Sequence, residues 1–191
     1  YQYVVPNPDG SGTLVEALLN VGDSTQKGLE LEASIQASEF LQISGSLGLI
    51  DATWDGGTKV GDVDLSGKDT SNVVTESWNL SANYSRPLSN GFELIADLQL
   101  SHRGEQDGGA PWDVLTNDSF EVMDLQVGLQ NDRWELMLNV DNLTDEEYYT
   151  DLEPFDNFSF NGLTGGGEPA RIAIGTLGHP RIVTASVSYS F

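Results

Sequence analysis

The chain has 191 residues, with 30 acidic against 8 basic side chains, a formal net charge of -22 and no cysteine. That balance argues against a nucleic-acid partner, since phosphate is neutralised by Lys and Arg, and a chain without Cys whose histidines are only His102 and His179 lacks the usual ligands of a structural zinc site. Hydrophobic residues make up 38% and glycine fills 21 positions, which excludes a disordered composition, yet no run approaches the ~18 apolar residues of a membrane helix.

Strand-like alternation recurs along the whole length. Eight runs are expected. The first covers about Thr13 to Asn20. In Lys27 to Ala37, Leu29, Leu31, Ala33 and Ile35 alternate with Glu30, Glu32, Ser34 and Gln36. Leu41 to Trp54 and Val74 to Leu88 continue the pattern, the latter setting Trp78, Leu80, Ala82 and Tyr84 against Asn79, Ser81, Asn83 and Ser85. Phe92 to Arg103, Phe120 to Gln130 and Trp134 to Asn142 follow. The last run ends the chain, with Val183, Ala185, Val187, Tyr189 and Phe191 on one face and Thr184, Ser186, Ser188 and Ser190 on the other. Successive strand side chains point to opposite faces, so each run offers one apolar and one polar face.

The connections alternate in length. Ser38-Glu39-Phe40, Ser89-Asn90-Gly91 and Asn131-Asp132-Arg133 are tight, and Asn-Gly is a strong hairpin signal. Asp55 to Val73, Gly104 to Ser119 and Leu143 to His179 are long. Counted back from Phe191, every tight turn falls on the side of the C-terminus, and Val21 to Gln26 would be a short link on the opposite side. Phe40, Phe92, Trp134, Tyr189 and Phe191 gather near the tight-turn ends, and Trp54, Trp78 and Phe120 near the long-loop ends. Short turns on one side, long loops on the other and two aromatic girdles describe an antiparallel transmembrane β-barrel of the outer-membrane type. A soluble β-sandwich also alternates, but its strands are usually nearer 5–6 residues than these runs.

Three segments carry a family resemblance: Asn20-Val21-Gly22 with Lys27-Gly28-Leu29-Glu30-Leu31-Glu32; Asn139-Val140-Asp141-Asn142-Leu143-Thr144-Asp145-Glu146-Glu147-Tyr148-Tyr149; and Gly178-His179-Pro180-Arg181 leading into the terminal strand. In this order they resemble the C-terminal barrel region of TonB-dependent outer-membrane receptors. The resemblance implies a barrel of about 22 strands filled by an N-terminal plug. It implies uptake of a scarce nutrient, driven by the inner-membrane TonB complex, across the outer membrane of a Gram-negative bacterium, and no enzymatic activity. Residues 1–191 are then expected to be a partial barrel domain, lacking the plug and the earlier strands. Tyr1-Gln2-Tyr3-Val4-Val5, without an initiator Met, reads as the interior of a longer chain. The expected partners are the TonB complex through the N-terminal region, the chain's own plug, outer-membrane lipid and the barrel assembly machinery, with a surface lipoprotein as a further candidate. Val187, Tyr189 and Phe191 resemble the closure and assembly signal of the family.

Candidate ligand-binding residues lie in the long loops: Trp112, Asp113, Tyr148, Tyr149, Phe155, Phe158 and Phe160. Flat apolar rings beside Asp and Asn suit sugars or planar ligands, though packing of the loops against each other explains them as well. Asp62-x-Asp64-x-Ser66-Gly67 opens like a calcium loop, but Val73 stands where the motif needs a bidentate Glu, so no metal is expected. Gly165-Gly166-Gly167 lacks the Gly-Lys-Ser/Thr of a phosphate cradle. No cofactor and no catalytic residues are expected. Sparse Arg and Lys favour a neutral oligosaccharide or a cobalamin-like ligand over an anionic siderophore. The rival expectations are a complete eight-stranded barrel acting as an adhesin or pore, and a soluble carbohydrate-binding sandwich.

Overall fold

The computed structural model describes residues 2–6, 14–18, 20, 22–60, 63–107, 116–156 and 171–191. In chain order the strands are β1 (Gln2–Pro6), β2 (Leu14–Leu18), β3 (Ser24–Ser38), β4 (Leu41–Trp54), β5 (Lys59–Val60), β6 (Val63–Asp64), β7 (Glu76–Pro87), β8 (Glu93–Arg103), β9 (Gln106–Asp107), β10 (Thr116–Asn117), β11 (Phe120–Gln130), β12 (Trp134–Asp141), β13 (Tyr149–Asp156), β14 (Arg171–Leu177) and β15 (Ile182–Tyr189). Seven of them form one antiparallel sheet in the order β3-β4-β7-β8-β11-β12-β15, an up-and-down meander. The remaining strands pair off as β1–β2, β5–β6, β9–β10 and β13–β14.

The register explains why these sequences choose this sheet. Ile35, Ile43, Ala82, Leu98, Leu125, Val140 and Val183 stand opposite one another in a single row across all seven strands. One residue along, Gln36, Gln42, Asn83, Asp97, Gln126, Asn139 and Thr184 form a polar row on the other face. A slip of one residue at any ladder would drive polar groups into the apolar face, so the pattern fixes the pairing. The polar face is stitched by side chains: Gln126 Nε2 donates to Asn139 Oδ1 at 2.8 Å, Gln42 Nε2 to Ser34 Oγ at 2.9 Å, and the Ser44 and Ser81 hydroxyls lie 2.7 Å apart.

The tight turns are built by their own residues. Gly91 adopts φ 81°, a conformation that favours glycine, and Leu88 N donates to the Phe92 carbonyl at 2.7 Å. Asn131 Oδ1 accepts the Arg133 and Trp134 N–H groups at 2.9 and 2.8 Å. Ser190 N then bonds the Arg133 carbonyl at 2.8 Å, tying the chain's last residues to this turn.

Among the described residues the sheet covers no conventional core. The buried apolar residues there are Ala52, Val60, Leu65, Met137 and Val140, and of these only Val60 and Leu65, packed with Trp54, cluster together. Ile35 is 63% exposed and Val187 66%. Among the described residues nothing packs on the apolar face. A sandwich would bury it against a second sheet, so that rival expectation fails here.

Three differences from the sequence-based expectation have physical causes. The Thr13–Asn20 run contributes β2, which pairs with β1 and not with β3, because Gln2–Pro6 supplies a nearer apolar strand; the sheet therefore holds seven long strands where eight were expected. The hairpin β13–β14 was unanticipated: Pro154 and the acids of Tyr149–Asp156 obscure the alternation, but a two-stranded ribbon leaves one side of β13 unpaired, where a proline is tolerated. Finally, no ladder joins β3 to β15 among the described residues, so the sheet is open at both edges.

The two faces make opposite predictions in a bilayer. Leu98→Arg, at the middle of the apolar row, is expected to cost ~2–4 kcal/mol in the full-length protein, and Gln99→Arg on the polar face well under half of that. Guanidinium unfolding in lipid vesicles measures both; equal costs, or a larger cost at Gln99, would overturn the assignment of faces.

Candidate functional site

The long-loop end of the polar face gathers the ring-bearing and charged side chains. β8 ends at Arg103 and β11 begins at Phe120, which are paired in the ladder and share that face. The Arg103 guanidinium lies over the Phe120 ring, 6.0 Å from its centroid. Tyr148 stacks on the same ring at 4.2 Å between centroids. Arg103 Nη1 donates to the Thr150 carbonyl at 2.7 Å, and Nη2 donates to Gln106 Oε1. Asn117, 6% exposed, donates from Nδ2 to the Tyr149 carbonyl at 3.0 Å. The wall thus grips the first residues of β13 at two adjacent carbonyls.

Arg103 is the one basic side chain on the polar face of the seven strands, which also carries Glu30, Glu32, Glu93, Asp97, Asp124, Glu135 and Asp141. An open groove of about 220 Å³ runs along part of it, lined by Asp97, Asp124, Asp141 and neighbouring Asn and Gln side chains. The face is anionic along its length and cationic at one point, at its mouth.

Beside the mouth, the second and third segments of the family resemblance meet. Asn142 turns the chain out of β12 with φ 51° and is 2% exposed. Its Nδ2 donates to the Glu146 and His179 carbonyls, both at 2.9 Å, and its Oδ1 accepts Glu146 N at 2.8 Å. Its own N–H bonds Asp124 Oδ1 at 2.8 Å. Asp145, at φ 58°, accepts Arg181 N at 3.0 Å and lies 3.5 Å from Arg181 Nη2. Gly178 N bonds the Tyr148 carbonyl at 2.8 Å, and a Cβ at Gly178 would collide with the Tyr148 ring. One clasp therefore holds both feet of the β13–β14 hairpin.

The opposite face changes character at the same end. His102 stacks on Trp78, with ring centroids 5.2 Å apart, between Glu76 at 3.4 Å and Glu121 at 3.5 Å. At the tight-turn end Trp134, Tyr189 and Phe191 form a run of rings, with centroid separations of 4.7 and 5.1 Å.

Of the expected site residues, Tyr148 is in the mouth, and Tyr149 follows it as the first residue of β13. Phe155 lies in β13 opposite Ile172. Trp112, Asp113, Phe158 and Phe160 lie outside the described residues. Val187 faces Leu136 and Tyr189 faces Trp134 in the β12–β15 ladder, on the apolar side. Sequence reading passed over the roles of Arg103 and Asn117 and met Asn142 only within the family motif; Arg103 left a further signal, as the one cation among the polar alternating positions. In the Asp62–Gly67 segment, Asp64 accepts Ser66 N–H at 2.9 Å. The Ser66 hydroxyl and then this N–H hold the Asp64 carboxyl below its ordinary value. No group of acids and histidines poised for a metal occurs among the described residues.

The sequence matches the family model described as TonB dependent receptor-like, beta-barrel, over residues 1–143. The chain belongs to that family of outer-membrane transport receptors. No curated protein sequence matches it. Among solved structures it is similar to the ferric yersiniabactin uptake receptor FyuA from Yersinia pestis, at 20% identity and TM-score 0.71 over 94% of this chain and 25% of that one. It is also similar to BauA, the ferric preacinetobactin receptor from Acinetobacter baumannii, at 17% identity and TM-score 0.66 over 100% of this chain and 25% of that one. The chain thus spans about a quarter of the length of the solved structures it matches. In a barrel of this family the apolar face meets lipid and the polar face lines the lumen.

Asn142→Ala is expected to destabilise the full receptor by about 2–3 kcal/mol, since it strips three part-buried hydrogen bonds made by a buried side chain. Asn142→Gly, which keeps the backbone freedom, should lose nearly as much. Thermal unfolding of the purified receptor tests this; a glycine variant as stable as the parent would show that the φ angle, not the clasp, is what matters.

Proposed function

We propose that this chain forms part of the wall and mouth of an outer-membrane receptor that imports a scarce nutrient with energy from the TonB complex. The observation that carries the reading is the pair of uninterrupted rows, apolar from Ile35 to Val183 and polar from Gln36 to Thr184, in a chain of this family. A wall of that kind separates lipid from an aqueous lumen and does nothing to drive transport by itself. The driving contacts belong to a plug inside the lumen and an N-terminal segment reached by TonB. The terminal strand, with Tyr189 and Phe191 on the lipid side, serves closure and recognition by the assembly machinery.

For the ligand, the mouth favours a ring-bearing siderophore complex. Arg103 over Phe120, with Tyr148 stacked on the same ring, brings apolar rings and a fixed cation together, the pairing that holds an aromatic acid or phenolate. FyuA is a ferric yersiniabactin uptake receptor and BauA a ferric preacinetobactin receptor, which supports the same class. Tyr149 and the loop aromatics Trp112, Phe155, Phe158 and Phe160, with Asp113, are proposed to complete the surround. A neutral oligosaccharide is the second reading, favoured by the acidic lumen wall.

Growth of a receptor-deficient strain carrying the parent gene, under iron limitation and on single siderophores or oligosaccharides, tests this. Rescue by a siderophore that vanishes without TonB is expected. Phe120→Ala should weaken binding of that siderophore by about tenfold. Rescue that persists without TonB would overturn the transport mechanism. Deleting Phe191 should cut surface levels while leaving the affinity of the receptor that does assemble unchanged; normal surface levels would remove its assembly role.

A further inference from the structure

The guanidinium of Arg103 already has a task in the structure. It clamps the β13–β14 hairpin to the wall through the Thr150 carbonyl, at 2.7 Å, and braces itself on Gln106. A neutral carbonyl is a weak partner for a guanidinium compared with a phenolate, which accepts a charge-assisted hydrogen bond, or a carboxylate, which accepts a charge-assisted, bidentate pair. No other cation lies on the lumen face of the seven strands, where every other charged group is a carboxylate.

We infer that Arg103 is a shared contact: in the empty receptor it holds the hairpin, and an anionic group on a ring-bearing ligand takes the same guanidinium, so that ligand binding loosens β13 from the wall. The inference rests on the reading of this mouth as the ligand entrance. Phe120 and Tyr148 place the incoming ring, since Phe120 lies under the guanidinium and Tyr148 stacks on Phe120. Arg103 leaves Thr150 for the stronger acceptor. Asn117 keeps its bond to the Tyr149 carbonyl, so the hairpin stays tethered at one point and moves without detaching. The clasp around Asn142 lies outside the exchange and preserves the hairpin's feet. The seven carboxylates further along the face repel a ligand carrying more than a local negative charge, which limits the ligand class to one anionic group on an otherwise neutral or cationic body.

The test uses the full-length receptor in lipid nanodiscs, with salicylate as an anionic ring probe and salicylamide as its neutral counterpart. Amide hydrogen exchange is read at Tyr149–Leu152 and Ile174–Leu177. Salicylate should speed exchange in the parent by about tenfold, the scale of losing one charged hydrogen bond, and salicylamide should not. Arg103→Gln should exchange fast from the start and ignore salicylate. Asn117→Ala should also start faster but still respond, because it keeps Arg103. If Arg103→Gln does not fold, Arg103→Lys keeps the charge without the fork and should show a faster baseline with a weakened response. Equal effects of the two probes, an unchanged baseline in the Arg103 variants, or loss of the response in Asn117→Ala would each overturn the inference. Its failure is separable from that of the transport reading. A receptor that imports its nutrient with an unresponsive hairpin sinks only the clamp, whereas a responsive hairpin in a receptor without TonB-dependent uptake sinks only the transport.

Discussion

Inside a bilayer no water is available to an unpaired backbone amide, so a chain that crosses as strands must bond every one of them to a neighbour. This constraint governs the rest of the molecule. It demands long strands in register, and the register then decides which side chains meet lipid and which meet water. The alternating apolar and polar rows of the seven-stranded sheet follow from it, and so do the tight turns at Asn90-Gly91 and Asn131, which return the chain without wasting a bond. Where the constraint ends, at the long-loop side, the sheet stops being uniform: Glu76, His102 and Glu121 interrupt the apolar face and Arg103 interrupts the acidic one.

The polar face is lined along its length by carboxylates, Asn, Gln and Ser. Its long-loop end differs because rings stack there and one planar cation lies over them. The geometry of that end depends on neighbours outside the stack. Asn142 holds the turn that carries Tyr148, and Asp145 with Arg181 fixes the returning strand. Residues far apart in sequence thus act as one fitting around a single buried amide side chain.

Much of this was legible in the sequence. The bounds of β4 and β11 follow from alternation alone, and β12 and β8 differ from expectation only at their ends, because a strict period of two leaves little freedom over ten residues. The short pairs were not legible, since two residues have no period. β13 was hidden by Pro154 and its acids, and β2 was misassigned because alternation shows that a strand exists without showing which strand pairs with it. At the site, aromatic composition pointed to Tyr148 and Tyr149 but not to the ring they address. Phe120 looked like a member of an aromatic girdle, and only the ladder shows that it shares the lumen side with Arg103. Asn142 appeared only as a letter in a family motif, because a left-handed turn and three convergent carbonyl and amide groups are tertiary facts.

The β13–β14 hairpin has a consequence for how the last strand finds its place. β15 must pair with β12 across the segment 142–181, and closing so long a loop is costly in entropy. Pairing of Tyr149–Asp156 with Arg171–Leu177 brings the two ends of that segment together beforehand. What remains to be closed is the short stretch on either side of the hairpin, a saving of about 1 kcal/mol by the logarithmic dependence on loop length. The hairpin acts as a splint. It presents β15 to β12 already aligned, so that the strand reached by the longest connection in the sheet is delivered with less searching.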